Sequence, residues 1–235
     1  MEPRTSTRNN PTDDELLISD PNAGGPRGVP RRRKRAVAEL VSVAILGYLL
    51  GSIPVGFLMG KLRGIDVRRY GSGATGGTNV LRTLGPWAAL FTVLCDIGKG
   101  LLAAYLGERL AGEWGFVAAG LLASLGHSYP VWLRFRGGKS VATSGGVMLL
   151  HYPLAVLVGI AAGALAVVPT RWVSLGSLTA SLAVVLQLFL LDAPLSHRLL
   201  VVALAVVIYV RHWENMKRIA AGTENRLGVK ARPRA

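Results

Sequence analysis

The sequence predicts an all-α integral membrane protein of about seven transmembrane helices, some of them short, with the N-terminus outside and the C-terminus cytoplasmic. Of 235 residues, 51% are hydrophobic. Mean hydropathy is +0.40. Long charge-free runs alternate with basic clusters that carry most of a net charge of +14. A soluble fold of this size does not hide that much apolar surface. Basic residues at the ends of apolar runs suit lipid headgroups and anionic substrates. A nucleic-acid binder would instead need a basic face on a water-filled fold. Membrane lipid is therefore an expected partner and nucleic acid is not.

Residues 1–35 are rich in Pro, Gly, Asn, Asp and Arg, lack the charge-then-apolar order of a signal peptide, and read as a disordered extension ending in the basic run Arg31–Arg35. A transmembrane domain follows over 36–211, with apolar segments at 36–60, 87–107, 114–133, 140–152, 153–168, 172–191 and 196–211. Residues 212–235 form a cytoplasmic segment with a basic tail. Most segments approach the ~20 residues that cross a bilayer. The segments 140–152 and 153–168 are short, and Pro153 either starts a second helix or kinks a single one.

Charge asymmetry bears on that choice. Lys61, Arg63, Arg68, Arg69 and Arg82 mark one cytoplasmic loop, Arg134, Arg136 and Lys139 another, and Arg211, Lys217, Arg218, Arg226 and Lys230 the tail. All three share a side only if 140–152 and 153–168 count separately. That gives seven spans and leaves the Arg31–Arg35 run outside, against the positive-inside tendency.

Three polar clusters interrupt the apolar pattern. The first, Arg69–Arg82, holds Gly71, Ser72, Gly73, Gly76, Thr78 and Asn79. Glycines allow close backbone approach, and hydroxyls, an amide and a guanidinium are donors an anion seeks. It reads as a phosphate-binding loop or as a solvated connection with glycine turns. The second cluster runs through Gly126-His127 to Gly137-Gly138-Lys139-Ser140, opening an apolar segment so that Lys139 and helix N-terminal amides can face one anion. Lys139 snorkelling to a headgroup is the other reading. The third, His212 to Arg218, continues the last span into water, with His212 and Asn215 on one helical face.

Other chemistry-bearing residues are fewer. Asp96 and Lys99, spaced i, i+3 inside an apolar segment, read as a structural pair before a catalytic one. His127 reads equally as a structural hydrogen-bonding residue, and His151 and His197 show no pattern. The single cysteine, Cys95, has no disulfide partner. There is no Gly-x-Ser-x-Gly elbow, no His with Asp five positions on, and no carboxylate–histidine spacing suited to a metal.

Together these clusters resemble the acyl-phosphate:glycerol-3-phosphate acyltransferases, the PlsY type of bacterial membrane enzyme. The likeness runs from Gly51-Ser52-Ile53-Pro54-Val55-Gly56 through Gly71–Arg82, Asp96-Ile97-Gly98-Lys99-Gly100, Gly126-His127, Gly137–Thr143 and His212-Trp213-Glu214-Asn215 to Arg218, Gly222 and Glu224. The resemblance implies seven spans in the plasma membrane and a cytoplasmic-side site that uses no metal or cofactor. It also implies transfer of an acyl group from acyl phosphate to the sn-1 hydroxyl of glycerol 3-phosphate, yielding lysophosphatidic acid and phosphate. The implied catalytic residues are Ser72, Arg82, Lys139, His212 and Asn215. The implied substrate-binding residues are Gly71, Gly73, Gly76, Thr78, Asn79, Gly137 and Gly138. Departures from the family are Ala74 where Asn is common, Gly77 where Ala is common, and Trp213 in place of a frequent Arg. The competing class is a transporter of an organic phosphate, which predicts polar residues spread through several spans and an internal repeat. An acyltransferase that takes acyl-CoA is a third reading.

Overall fold

The computed structural model describes residues 28–231 and 233. The chain divides into residues 1–35 and 36–235. Of the first unit, residues 28–35 form the opening turns of α1 (Gly28–Gly51); the rest of the expected disordered extension lies outside the described residues. The second unit continues through α2 (Val55–Lys61), α3 (Gly77–Leu84), α4 (Pro86–Ser128), α5 (Val141–Leu149), α6 (Pro153–Thr170), α7 (Val173–Leu190), α8 (Leu195–Arg211) and α9 (Trp213–Ala220). Among the described residues there is no strand; a single bridge pairs Tyr70 with Pro233.

Local sequence sets several boundaries. Proline stands at the start of both α4 and α6, where the missing N–H has no helical partner to lose. Gly85, with φ of 91°, ends α3 and turns the chain into α4.

The expected segments 87–107 and 114–133 are the two arms of α4, which reverses at Ala111 and at Gly112 with φ of 65°. Gly107 and Gly115 then meet so closely that a Cβ on either would run into the other's carbonyl oxygen. Small residues are what permit such an approach between helices in lipid. The second arm stops at Ser128 and not at 133, because Tyr129 precedes Pro130 and leaves the helical region; residues 131–133 form a 3₁₀ turn.

Helix α5 packs between these arms. A Cβ on Gly146 would meet the Ile97 carbonyl oxygen of the first arm. On the second arm, the Ser124 and Ser144 hydroxyls pair at 3.0 Å, and those of Ser128 and Ser140 at 2.7 Å. In an apolar surrounding each such hydroxyl needs a partner.

Residues 140–152 and 153–168 are separate helices, α5 and α6, so the single kinked span is not what forms. Each expected segment contains helix, but 36–60 is broken at 52–54 between α1 and α2, and 140–152 is helical only over Val141–Leu149. Among the described residues, four stretches are long and apolar enough to cross a membrane, or five if α8 and α9, bent by 60°, count as one broken span. One of the four, Pro86–Leu133, contains both arms of α4. Nine-residue α5 reaches only ~13 Å against a hydrocarbon core of ~30 Å.

The apolar core gathers Phe116, Val147, Leu188, Leu200 and Leu204 from α4, α5, α7 and α8. One end of the bundle collects the α4 reversal, the 150–152 turn and the 191–194 turn. There His151 lies 3.1 Å from Glu108, and Tyr152 2.7 Å from His197. The opposite end collects the loop before α3, residues 134–140, the α6–α7 turn and the α8–α9 break, and it holds all three polar clusters.

Candidate active site

The first loop is shaped by two glycines and one asparagine. Gly71 and Gly73 adopt φ of 55° and 72°, a left-handed conformation that favours glycine. Asn79 is buried, and its amide nitrogen donates to the carbonyls of Val67 and Ala74, both at 2.9 Å. Its side-chain oxygen accepts the Ser72 N–H at 3.1 Å. So held, the loop points Ser72, Gly76, Thr78 and Arg82 into a cavity of about 580 Å³. The N-terminal amides of α3, which lack helical acceptors, open at the same place. Arg82 donates to the Asn225 carbonyl at 3.1 Å, while its Nε is buried without a partner.

Lys139 reaches the cavity on a differently built loop. The N–H groups of Gly137 and Gly138 donate to the carbonyls of Ser128 and His127, at 3.2 and 3.0 Å. Their own carbonyls accept Arg211, whose guanidinium lies over the Tyr129 ring. A Cβ on Gly138 would collide with the His127 ring. The loop thus leaves Lys139 projecting, and α5 begins immediately after it, with Val141 and Ala142 lining the cavity.

The third cluster corrects one expectation. The last span does not continue unbroken into water; it breaks at His212, and α9 leaves at 60°. His212 is buried at the break, and its Nδ1 bonds the Ile208 carbonyl at 2.8 Å. That contact requires the proton on Nδ1 and leaves Nε2 as the acceptor. Asn215 accepts a hydrogen bond from the Lys139 ammonium and donates at 2.7 Å to Glu224. The second Glu224 oxygen accepts Arg218 Nε at 2.8 Å.

Electrostatics follow from this burial. Desolvation pulls the Lys139 ammonium down to about 8, with Glu224 opposing and the neighbouring arginines assisting. Desolvation, aided by the Lys139 charge, pulls His212 down to about 4. Neutral His212 beside charged Lys139 is therefore the state near pH 7.

Asp96 and Lys99 pair at 2.9 Å, and His127 lies 3.3 Å from the same carboxylate oxygen. Lys99 also donates to the Ile53 carbonyl at 3.0 Å. This group braces α4 against the α1–α2 connection and the Gly138 contact, and Asp96 and His127 also line the cavity.

Of the expected site residues, Ser72, Gly76, Thr78, Asn79, Arg82, Lys139, His212 and Asn215 line one cavity, whereas Gly71, Gly73, Gly137 and Gly138 shape the loops behind it. Glu224 also lines it and was not among them. The family resemblance already ran through Glu224, but neither it nor the residue's place in a basic tail gave Glu224 a role in the site. Away from this polar end the cavity is walled by Val93 and Ile97 of α4, Leu149 of α5, and Leu157 and Ile160 of α6.

Cations and helix N-termini at one end of an apolar chamber are the arrangement of a membrane protein suited to an anionic headgroup and a hydrocarbon together. The family model described as glycerol-3-phosphate acyltransferase matches residues 41–222, and the chain belongs to that family. It is 41% identical over 192 residues to the glycerol-3-phosphate acyltransferase of Carboxydothermus hydrogenoformans, covering 81% of this chain and 98% of that one. With the Gloeobacter violaceus protein of the same name, identity is 46% over 188 residues, 77% of this chain and 91% of the other. Among solved structures, the glycerol 3-phosphate form of PlsY, an integral membrane glycerol 3-phosphate acyltransferase, superposes with a TM-score of 0.77 at 36% identity, covering 80% and 96% of the two chains. The lysophosphatidic acid form of PlsY gives a TM-score of 0.75 at the same identity, covering 80% and 95%.

Proposed function

We propose that this protein transfers an acyl group from an acyl phosphate to the sn-1 hydroxyl of glycerol 3-phosphate, producing lysophosphatidic acid and inorganic phosphate at the cytoplasmic face of the plasma membrane. The observation that carries the reading is the convergence of Arg82, Lys139 and the N-termini of α3 and α5 on one cavity whose far walls are apolar. Both proposed substrates bear phosphate, and the donor bears a hydrocarbon chain. A guanidinium, an ammonium and helix N-terminal amides suit the phosphates; the apolar walls suit the chain.

The reaction needs no enzyme nucleophile, because the donor is a mixed anhydride. The glycerol hydroxyl oxygen attacks the acyl carbonyl carbon, the new ester bond forms, and the bond from that carbon to the phosphate oxygen breaks. Inorganic phosphate leaves with the electron pair, and the hydroxyl proton passes to a substrate phosphate. Arg82 and Lys139 neutralise charge on the phosphates. Asn215 and Glu224 aim Lys139, and His212 Nε2 accepts from and orients the glycerol hydroxyls. Positioning and charge stabilisation then supply the rate. A His212 held near a pKa of about 4 is a weak base, which favours the orienting role.

The test is purified protein with acyl phosphate and glycerol 3-phosphate, scoring lysophosphatidic acid and phosphate in equal amounts. Acyl-CoA serves as a parallel donor. Product from acyl-CoA alone overturns the donor assignment. Uptake of glycerol 3-phosphate into vesicles without product formation favours the transporter.

A further inference from the structure

A second, smaller cavity of about 100 Å³ lies between α5, α6, α7 and α8. Its lining is apolar apart from two serines whose hydroxyls are already engaged: Ser144 with Ser124 at 3.0 Å, and Ser181 donating to the Leu178 carbonyl at 2.9 Å. A cavity with no free polar group stays dry and accepts hydrocarbon. At about 100 Å³ against about 580 Å³ for the larger cavity, it takes the end of a chain and not a whole one.

The two cavities share Val141, Gly145, Val156 and Ile160 as lining residues. Gly145 is the informative member. Glycine weakens a helix interior relative to alanine, so it ordinarily has a packing reason. Its neighbour Gly146 has one, since a Cβ there would strike the Ile97 carbonyl. For Gly145 nothing lies within 4 Å of where a Cβ would stand. The missing side chain leaves open space where the two cavities adjoin, not a contact.

We propose that the smaller cavity receives the methyl end of the donor's acyl chain, with Gly145 as its threshold, and so sets the longest chain the protein uses efficiently. This rests on the reading above that a fatty acyl donor lies with its phosphate at Arg82 and Lys139 and its chain along the apolar walls. Four shared lining residues set the two spaces side by side. Each methylene denied burial weakens binding by roughly fourfold, so filling that threshold discriminates steeply by length.

Two variants test it in the full-length protein. Gly145→Leu fills the threshold; Ala205→Leu fills the smaller cavity from α8, where Ala205 lines that cavity and not the larger one. Values of kcat/KM are measured for octanoyl, dodecanoyl and hexadecanoyl phosphate at saturating glycerol 3-phosphate. The hexadecanoyl-to-octanoyl ratio is expected to fall roughly tenfold in both variants. A ratio within twofold of wild type in either folded variant overturns the proposal. Should Gly145→Leu fail to fold, Ala205→Leu decides. A second readout is independent of turnover: thermal stabilisation by lysophosphatidic acids of the same three chain lengths. Its increase with length should flatten in the variants. An undiminished increase overturns the subsite, whereas wild-type protein that shows the increase but makes no product from any acyl phosphate overturns only the reaction.

Discussion

Glu224 accepts the side-chain amide of Asn215 at 2.7 Å, from a carboxylate that is itself buried. Through this contact a residue of the C-terminal segment sets the orientation of Asn215, and Asn215 in turn holds the Lys139 ammonium. Glu224 also raises the Lys139 pKa against the desolvation that lowers it. The charged form of Lys139 is the one that binds phosphate. Affinity for the phosphate substrates should therefore fall as pH rises through about 8. Glu224→Gln keeps a hydrogen-bonding partner but removes the counter-charge, so the alkaline limb of kcat/KM should move to lower pH by roughly a unit. A limb that stays in place in the variant contradicts the coupling.

Lys139→Ala and Arg82→Ala should reduce turnover to near background while circular dichroism and melting temperature stay close to wild type. Each cation faces the cavity and is assigned to a substrate phosphate, not to packing. Arg82→Lys should remain impaired, because an ammonium cannot reproduce a planar, bidentate contact. Wild-type rates in any of these folded variants would falsify the assignment.

His212 distinguishes two mechanisms. As an orienting group it should tolerate His212→Gln with loss of no more than about tenfold in single-turnover rate, and His212→Ala should chiefly raise the KM for glycerol 3-phosphate. As the general base, its loss should slow the chemical step roughly 10²–10⁴-fold in both variants. The depressed His212 pKa and the fixed Nδ1 contact favour the first outcome.

Sidedness can be read by cysteine labelling in a Cys95→Ala background. Lys61 and Asn225 are exposed at the end that carries the site, and Asp192 is exposed in the turn at the far end of α8. Cysteines at 61 and 225 should react from the cytoplasmic side and one at 192 from outside. Thr75, in the first loop, is buried and is a poor probe. Labelling of 192 and 225 from the same side contradicts the proposed orientation, as does labelling of an introduced cysteine at residue 20 from the side of 225.

The sequence alone determined the helical membrane class, the seven apolar segments and the three polar clusters, because hydropathy, proline starts and glycine-rich loops act over a few neighbouring residues. Arg82, Lys139, His212 and Asn215 lay within those clusters, and the family resemblance carried by the clusters gave them their roles. Only the tertiary structure decided how those residues divide their work. Gly137 and Gly138 carry the same glycine signal as Gly76, yet their N–H groups close a helix end while Gly76 lines the cavity. Glu224 was legible only as the last residue of the family resemblance; its contact with Asn215 and Arg218 appears only in the fold. The reversal at Gly112, the brevity of α5 and the break at His212 are likewise set by packing. A contact between Lys139 and Asn215 joins residues 76 positions apart. Nothing in local periodicity encodes such a pairing; it arises when helices pack and remove both partners from water.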